Sequence, residues 1–243
     1  MSTGSQYRNN TLTFHDRTTL ESLLPVAPVV FADDFLGAYT ALPTSAESGM
    51  DWISKIVGAA PPTAAITADG ANGILELALT ATSEKQEATA YFGDQRQFSL
   101  EQGVVFECRA KISVLPTGNA EAVFGLLGDW TDGADAATYS LFFTADGSGA
   151  IVCEMDDNAT DRSTASGVTV LNTEWHIFRI EAFAVGDVRF YIDGAQVAVA
   201  TTFAYAATGA NAVLQPYLSM YKASGTGIGT IQIDYVRAWQ NRG

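Results

Sequence analysis

The segment EWHIFRIEAFAVGDVRFYIDGAQVAV, residues 174–199, constrains the fold more than any other part of the chain. Side chains of an extended strand alternate between two faces with a period of two. Phe190 and Ile192 therefore share one side, and Arg189 and Tyr191 the other. Asp193-Gly194 follows, a dipeptide that fits a type I′ turn and reverses the chain. The same grammar recurs from Phe31 onward. In GVVFECRAKISV (103–114), Phe106, Cys108, Ala110 and Ile112 fall on one face, and Glu107, Arg109, Lys111 and Ser113 on the other. ILELALTAT (74–82) sets Leu75, Leu77 and Leu79 in one phase. AVFGLLGDW (122–130) is nearly all apolar, as a strand that is covered on both faces or lines a ligand must be. ATYSLFFTADGSGAIVCEMD (137–156) is a hairpin around residues 146–149, and LQPYLSMYKA (214–223) and IGTIQIDYVRAWQ (228–240) close the series. No helical period runs beyond about three turns. At this spacing, short strands build a sandwich or a barrel.

Residues 1–30 read differently. They are polar, rich in Ser, Thr, Asn and Arg, and end in LLPVAPVV, whose Pro25 and Pro28 disfavour regular structure. The expected organisation is an N-terminal arm over 1–30 and one domain over 31–243. Within the arm, TTLESLL has the length of one or two helical turns, with Thr18 or Thr19 as cap.

Composition excludes some classes of function. Asp and Glu outnumber Lys and Arg by 27 to 13, for a formal charge of −14, and only four lysines occur. Such a surface repels phosphate backbones and anionic lipids, so neither nucleic acid nor membrane is an expected partner. No apolar run is long enough to span a bilayer, and the first twenty residues lack the apolar core of a signal peptide. Cys108 and Cys153 each lie on the apolar phase of a strand, as buried thiols do, and a bond between them stays open. The triplet Asn158-Ala159-Thr160 matches a glycosylation acceptor, but a match this short is common by chance.

The stretches Glu174–Glu181, Val188–Gly194 and Ile233–Trp239, with VVFADDFLG (29–37) before them, resemble the strands of the concanavalin-A-like jelly roll. That group includes legume-type lectins, laminin-G-like modules and laminarinase-type glucanases. The likeness covers about residues 31–240 and implies a two-sheet antiparallel jelly-roll sandwich behind an extended N-terminal arm. It says less about function, since one fold hosts many.

In the glucanases of that group, the resemblance implies a Glu-x-Asp-x-(x)-Glu pattern on one strand, which places a nucleophile and an acid/base on one face. The nearest string here, Glu154-Met155-Asp156-Asp157-Asn158, lacks the second glutamate and lies in the strand after the matching one, SLFFTA. Two histidines, His15 and His176, are too few for a His-rich zinc site, and no nucleophile elbow or phosphate loop is present. The chain is therefore expected not to be an enzyme. Trp175 and His176 are read as core and structural residues. Calcium is the one cofactor the resemblance suggests, at the junction of the first and last strands, with Asp33, Asp34 and Asp234 as its acids. For glycan binding, the aromatics to watch are Trp130, Tyr139, Tyr217 and Tyr221, with Gln215 beside them as a hydroxyl partner. Tyr217 and Tyr221 are four apart and share a strand face.

A lectin-like sandwich without the catalytic triplet, an acidic surface and a polar arm together suit a structural protein on the exterior of a phage capsid, made in the host cytoplasm. Its expected partners are the major capsid protein or other virion proteins, further copies of itself, and glycans. The alternatives are a free lectin-like carbohydrate-binding module and a laminarinase-type glycoside hydrolase with a departed motif.

Overall fold

The computed structural model describes residues 3–9, 11–37, 40–46 and 51–243. It is an all-β, two-sheet antiparallel sandwich with a small third sheet at its N-terminus. The small sheet is a meander of β1 (Thr3–Arg8), β2 (Thr11–Asp16) and β3 (Ser22–Pro25). Sheet I contains β4 (Val29–Asp33), β6 (Thr63–Ile66), β7 (Leu75–Ala78), β10 (Val105–Val114), β15 (His176–Ala184), β16 (Asp187–Ile192), β17 (Ala195–Val197) and β19 (Thr230–Gln240). Its strands run β17-β16-β15-β10-β19-β7-β6, with β4 on the far half of β19. Sheet II contains β5 (Ile53–Val57), β8 (Gln86–Tyr91), β9 (Phe98–Ser99), β11 (Ala120–Leu127), β12 (Ser140–Ala145), β13 (Ala150–Asp156), β14 (Asp161–Thr169) and β18 (Val213–Lys222). Its order is β14-β13-β12-β11-β18-β8-β5, with β9 beside β18. Among the described residues, helix is confined to three short 3-10 turns, and no helix is long and apolar enough to cross a membrane.

The core lies between the two large sheets. It takes the phase read from β10, with Phe106, Cys108, Ala110 and Ile112, together with Phe178 and Ile180 of β15, Phe124 of β11 and Leu218 and Met220 of β18. Phe143, Phe178 and Phe190 pack edge to face at 5.2 Å, a favoured arrangement of aromatic quadrupoles. Asp193 and Gly194 both have positive φ, 49° and 77°, as a type I′ turn requires. Cys108 on sheet I and Cys153 on sheet II are free and buried, so no bond joins them; burial pushes the Cys153 thiol up to about 12.

The N-terminal arm is more regular than its prolines and polarity suggested: it forms the small sheet, which lies on the outer face of sheet I. Asn9 donates its side-chain amide to the Ala182 carbonyl at 2.7 Å, and Arg8 reaches Glu107 at 3.1 Å. The expected helical turn in TTLESLL is absent. Asp16 Oδ1 accepts the backbone N–H groups of Thr18 and Thr19 at 2.7 and 2.9 Å, which makes a turn and sends residues 22–25 into β3. A polar side chain bonding to its own backbone competes with helix here.

Candidate functional site

Each large sheet has an outer face, and each outer face buries one glutamate completely. On sheet I it is Glu107 of β10. Its Oε1 accepts the Ser22 N–H at 2.9 Å and the Tyr235 hydroxyl at 3.1 Å; its Oε2 accepts from Ser22 Oγ at 2.7 Å and Arg8 at 3.1 Å. Arg179 stands 3.6 Å away. Both oxygens are matched and cations are at hand, so this is an interior joint that fastens β1–β3 to the sandwich.

On sheet II the buried glutamate is Glu87 of β8, and its surroundings are different. The strand QEATAY is buried throughout, with Ala88 and Ala90 on the core side and Glu87, Thr89 and Tyr91 on the outer side. Directly paired residues on antiparallel strands share a face. One outer row is thus Glu121, Tyr221, Glu87 and Val57. The next is Val123, Ser219, Thr89 and Lys55, and the third is Glu154, Phe142, Gly125, Tyr217, Tyr91 and Ile53.

Glu87 Oε1 accepts three donors: the Trp130 indole N–H at 2.8 Å, the Tyr217 hydroxyl at 3.0 Å and the Thr89 hydroxyl at 2.7 Å. Glu87 Oε2 is buried and has no partner. Leaving a buried acceptor unmatched costs about 1–3 kcal/mol, and more where the group is charged. Burial raises the Tyr217 hydroxyl well above its ordinary value, and the Glu87 carboxylate adds to the shift, so Tyr217 stays a donor to Glu87.

A loop over residues 128–139 covers this face. Ala134 and Ala137 pack on Tyr91, Val123, Leu127, Phe142 and Tyr217. Trp130 lies at the loop's edge, its backbone N–H on Asp94 Oδ1 at 2.7 Å and Lys55 Nζ 4.4 Å from its ring centre. Gln215 donates to the Gly128 carbonyl at 2.6 Å and to Asp94 at 3.1 Å. Gly133 backs onto the Tyr221 ring.

Four of the five residues named for glycan binding, Trp130, Gln215, Tyr217 and Tyr221, converge here. Tyr139 does not: it packs against the main core and over Gly128. Tyr217 is fully buried beneath the loop, so the face is a closed site and not an open platform. Sequence reasoning missed Glu87, Thr89 and Ser219. The available signal was the alternation of small and polar residues in QEATAY, which by itself looks like an ordinary solvated strand face.

The acids named for calcium do not converge. Asp33 turns inward, accepting the Phe35 N–H at 2.7 Å and the Trp52 indole at 2.9 Å. Asp234 pairs with Arg109, and Asp34 lies 3.6 Å from Arg237. Asp34 and Asp234 do line one cleft of about 460 Å³, but they share it with Arg109. Asp33 is thus engaged away from the other two acids, and Asp34 and Asp234 each have an arginine beside them. Among the described residues, no group of three or more His, Cys, Asp or Glu could hold a metal. Trp175 is also placed differently from its reading: it lies outside the core, with Arg109 and Lys111 at 4.8 and 4.9 Å from its ring. His176 bonds to Asp193 at 2.7 Å, and that bond raises its pKa.

The model of one protein family, SO2946-like, C-terminal domain, matches residues 72–234. No curated protein matches the chain in sequence. Among solved structures, the chain is similar to a protein of unknown function, SO2946 of Shewanella oneidensis MR-1, with a TM-score of 0.57 and 14% identity over 86% of this chain and 84% of that one. It is similar to a glycosyl hydrolase family 16 protein of Mycobacterium smegmatis, with a TM-score of 0.53 and 17% identity over 86% and 99%. It is also similar to the carbohydrate recognition domain of Emp47p, with a TM-score of 0.52 and 9% identity over 84% and 95%. These likenesses support the concanavalin-A-like jelly-roll reading of the fold.

The likeness to a glycosyl hydrolase family 16 protein corrects the expectation that the chain is not an enzyme. A sandwich of this fold is a glycosyl hydrolase family 16 protein, so a missing pattern on β12 gives no ground for excluding catalysis. None of these three proteins is described as a virion part, and the expectation of capsid decoration gains no support from them.

Proposed function

The chain belongs to the SO2946-like C-terminal domain family, and from that footing we propose that it engages a carbohydrate on the outer face of sheet II. The observation that carries this reading is Glu87: a fully buried carboxylate with three donors on one oxygen, none on the other, and Trp130, Tyr217, Thr89 and Ser219 around it. Sugars offer many hydroxyl donors and apolar ring faces. A carboxylate acceptor beside aromatic rings is the chemistry that receives both. The carbohydrate recognition domain and the glycosyl hydrolase that share the fold lend this reading support from outside the chain.

A second reading, turnover of the bound glycan, draws on one specific juxtaposition. Glu121 and Glu87 flank Tyr221 in a single row across β11, β18 and β8. Two strand spacings put their backbones roughly 10 Å apart. Inverting glycosidases hold their two carboxyl groups about 6.5–9.5 Å apart, so that one protonates the leaving oxygen while the other activates water.

One set of samples tests both. Neutral oligosaccharides are titrated against wild type, Glu87→Gln and Tyr217→Phe, and reducing ends are assayed on laminarin, lichenan, agarose and carrageenan. Binding weakened at least tenfold by Glu87→Gln is the expected result. Turnover lost in both Glu87→Gln and Glu121→Gln selects the second reading. A wild type that binds nothing at millimolar sugar and cleaves nothing rejects the site.

A further inference from the structure

Loop 128–139 closes over a group that gains from being uncovered. We propose that this loop is a lid, and that it lifts to let a sugar hydroxyl reach Glu87 Oε2. The inference rests on the carbohydrate reading above and adds how the site is reached and which atom takes the ligand.

The lid's own attachments are weak. Ala134 and Ala137 are the buried apolar residues it contributes, and each brings one methyl group. Two ion pairs tie its outer edge down, Lys85 to Asp132 and Arg96 to Asp129. The aspartates are about half exposed or more, and exposed pairs are screened by salt and contribute little. Trp130 adds its indole N–H to Glu87 and its backbone N–H to Asp94, with Lys55 over its ring, while the two ends of the loop are anchored separately, by Gln215 on the Gly128 carbonyl and by Tyr139 packed on the core.

The closed state also carries a penalty. Glu87 Oε2 is sealed from solvent without a donor, and no ion pair to Glu87 is present among the described residues. A carboxylate in that setting is better solvated when the cover moves. Beneath the lid, the face is already arranged. Thr89 donates to Glu87 at 2.7 Å and accepts from the Ser219 hydroxyl at 2.8 Å, and Tyr217 is held at 3.0 Å from Glu87, so nothing on β8 or β18 has to be rebuilt. A hydroxyl on Oε2 supplies the one bond the closed site lacks. The acceptor-only chemistry of a carboxylate selects a donor, so the ligand is a hydroxyl-bearing saccharide that meets the site edge-on, with Trp130 displaced to its rim.

The test needs the lid read separately from the sugar. In a Trp175→Phe background, Trp130 is the tryptophan left with solvent exposure, because Trp52 and Trp239 are buried. Acrylamide quenching of its emission is measured with and without Asp129→Ala/Asp132→Ala, which removes both ion pairs from the lid side. Quenching should rise at least twofold in that variant, and 0.5 M salt should move wild type in the same direction. Sugar affinity should rise about threefold to tenfold, since a ligand that needs the open state gains by the increase in its population. Quenching that stays the same, with the Trp130 amide exchanging as slowly as those of β11, overturns the lid. Sugar bound equally well by wild type and the double variant also overturns it while leaving the carbohydrate site standing. Quenching that rises with no sugar bound at millimolar concentration keeps the lid and rejects the carbohydrate reading.

Discussion

Glu107 and Glu87 are equally buried, lie on opposite outer faces of one sandwich, and are built for opposite purposes. Around Glu107 every oxygen has donors and two arginines compensate the charge. Its cover is a three-stranded meander whose Arg8 and Ser22 bond directly to the carboxylate. Around Glu87 the donors crowd onto one oxygen, the other is bare, and the cover is a loop with one 3-10 turn, tied by Trp130 and Gln215 and, at its outer edge, by exposed ion pairs. Burial alone therefore does not distinguish a structural carboxylate from a functional one; the completeness of its partners does.

Removing each glutamate should separate the two faces most sharply. Glu107→Ala leaves Arg8 and Arg179 buried with their shared acceptor gone. Burial already lowers the Arg8 pKa, and Glu107 is one of the groups that raises it. Breaking a buried pair in this way costs about 3–5 kcal/mol. Urea unfolding should show that loss, with new protease cuts within residues 3–25. A loss under about 1 kcal/mol would show that the small sheet does not depend on Glu107.

Glu87→Gln should do the reverse. The amide keeps an acceptor for Trp130 and removes an uncompensated charge, so stability should stay within about 1 kcal/mol of wild type while sugar binding falls. A large destabilisation here would erase the contrast and make Glu87 a second structural joint.

The smallest effect concerns the hairpin at the far edge of sheet I. The bond to Asp193 raises the His176 pKa above its ordinary value of 6.5 despite partial burial. A raised pKa in the folded state gives stability that is fully present below about pH 6.5 and fades as pH rises through the folded value. The advantage of wild type over His176→Gln should thus be greater at pH 5.5 than at pH 8, by less than about 1 kcal/mol, because Asp193 is half exposed. An advantage that grows toward pH 8 contradicts the assignment.

Much of this molecule was legible from local pattern. The alternation in 103–114 and 174–199, the Asp193-Gly194 turn, and the shared face of Tyr217 and Tyr221 follow from the strand period and turn chemistry, which act between near neighbours. The identity of the two special glutamates was not legible. In FECRAK and QEATAY each looks like a polar residue on a solvated face, because what buries it comes from elsewhere in the chain: Arg8 and Ser22 for Glu107, Trp130 and Tyr217 for Glu87. The strands of the N-terminal arm were hidden for the same reason. Polar composition and two prolines at 1–30 suggested irregular structure, yet polarity there serves to match Glu107, Ala182 and Arg237 of the sandwich. The sequence by itself determined strands, turns and the two-sheet class, since those depend on each residue's own neighbours. Only the tertiary structure decided which polar groups meet, because a buried hydrogen bond between residues 43 or 99 positions apart leaves no period in the chain to read.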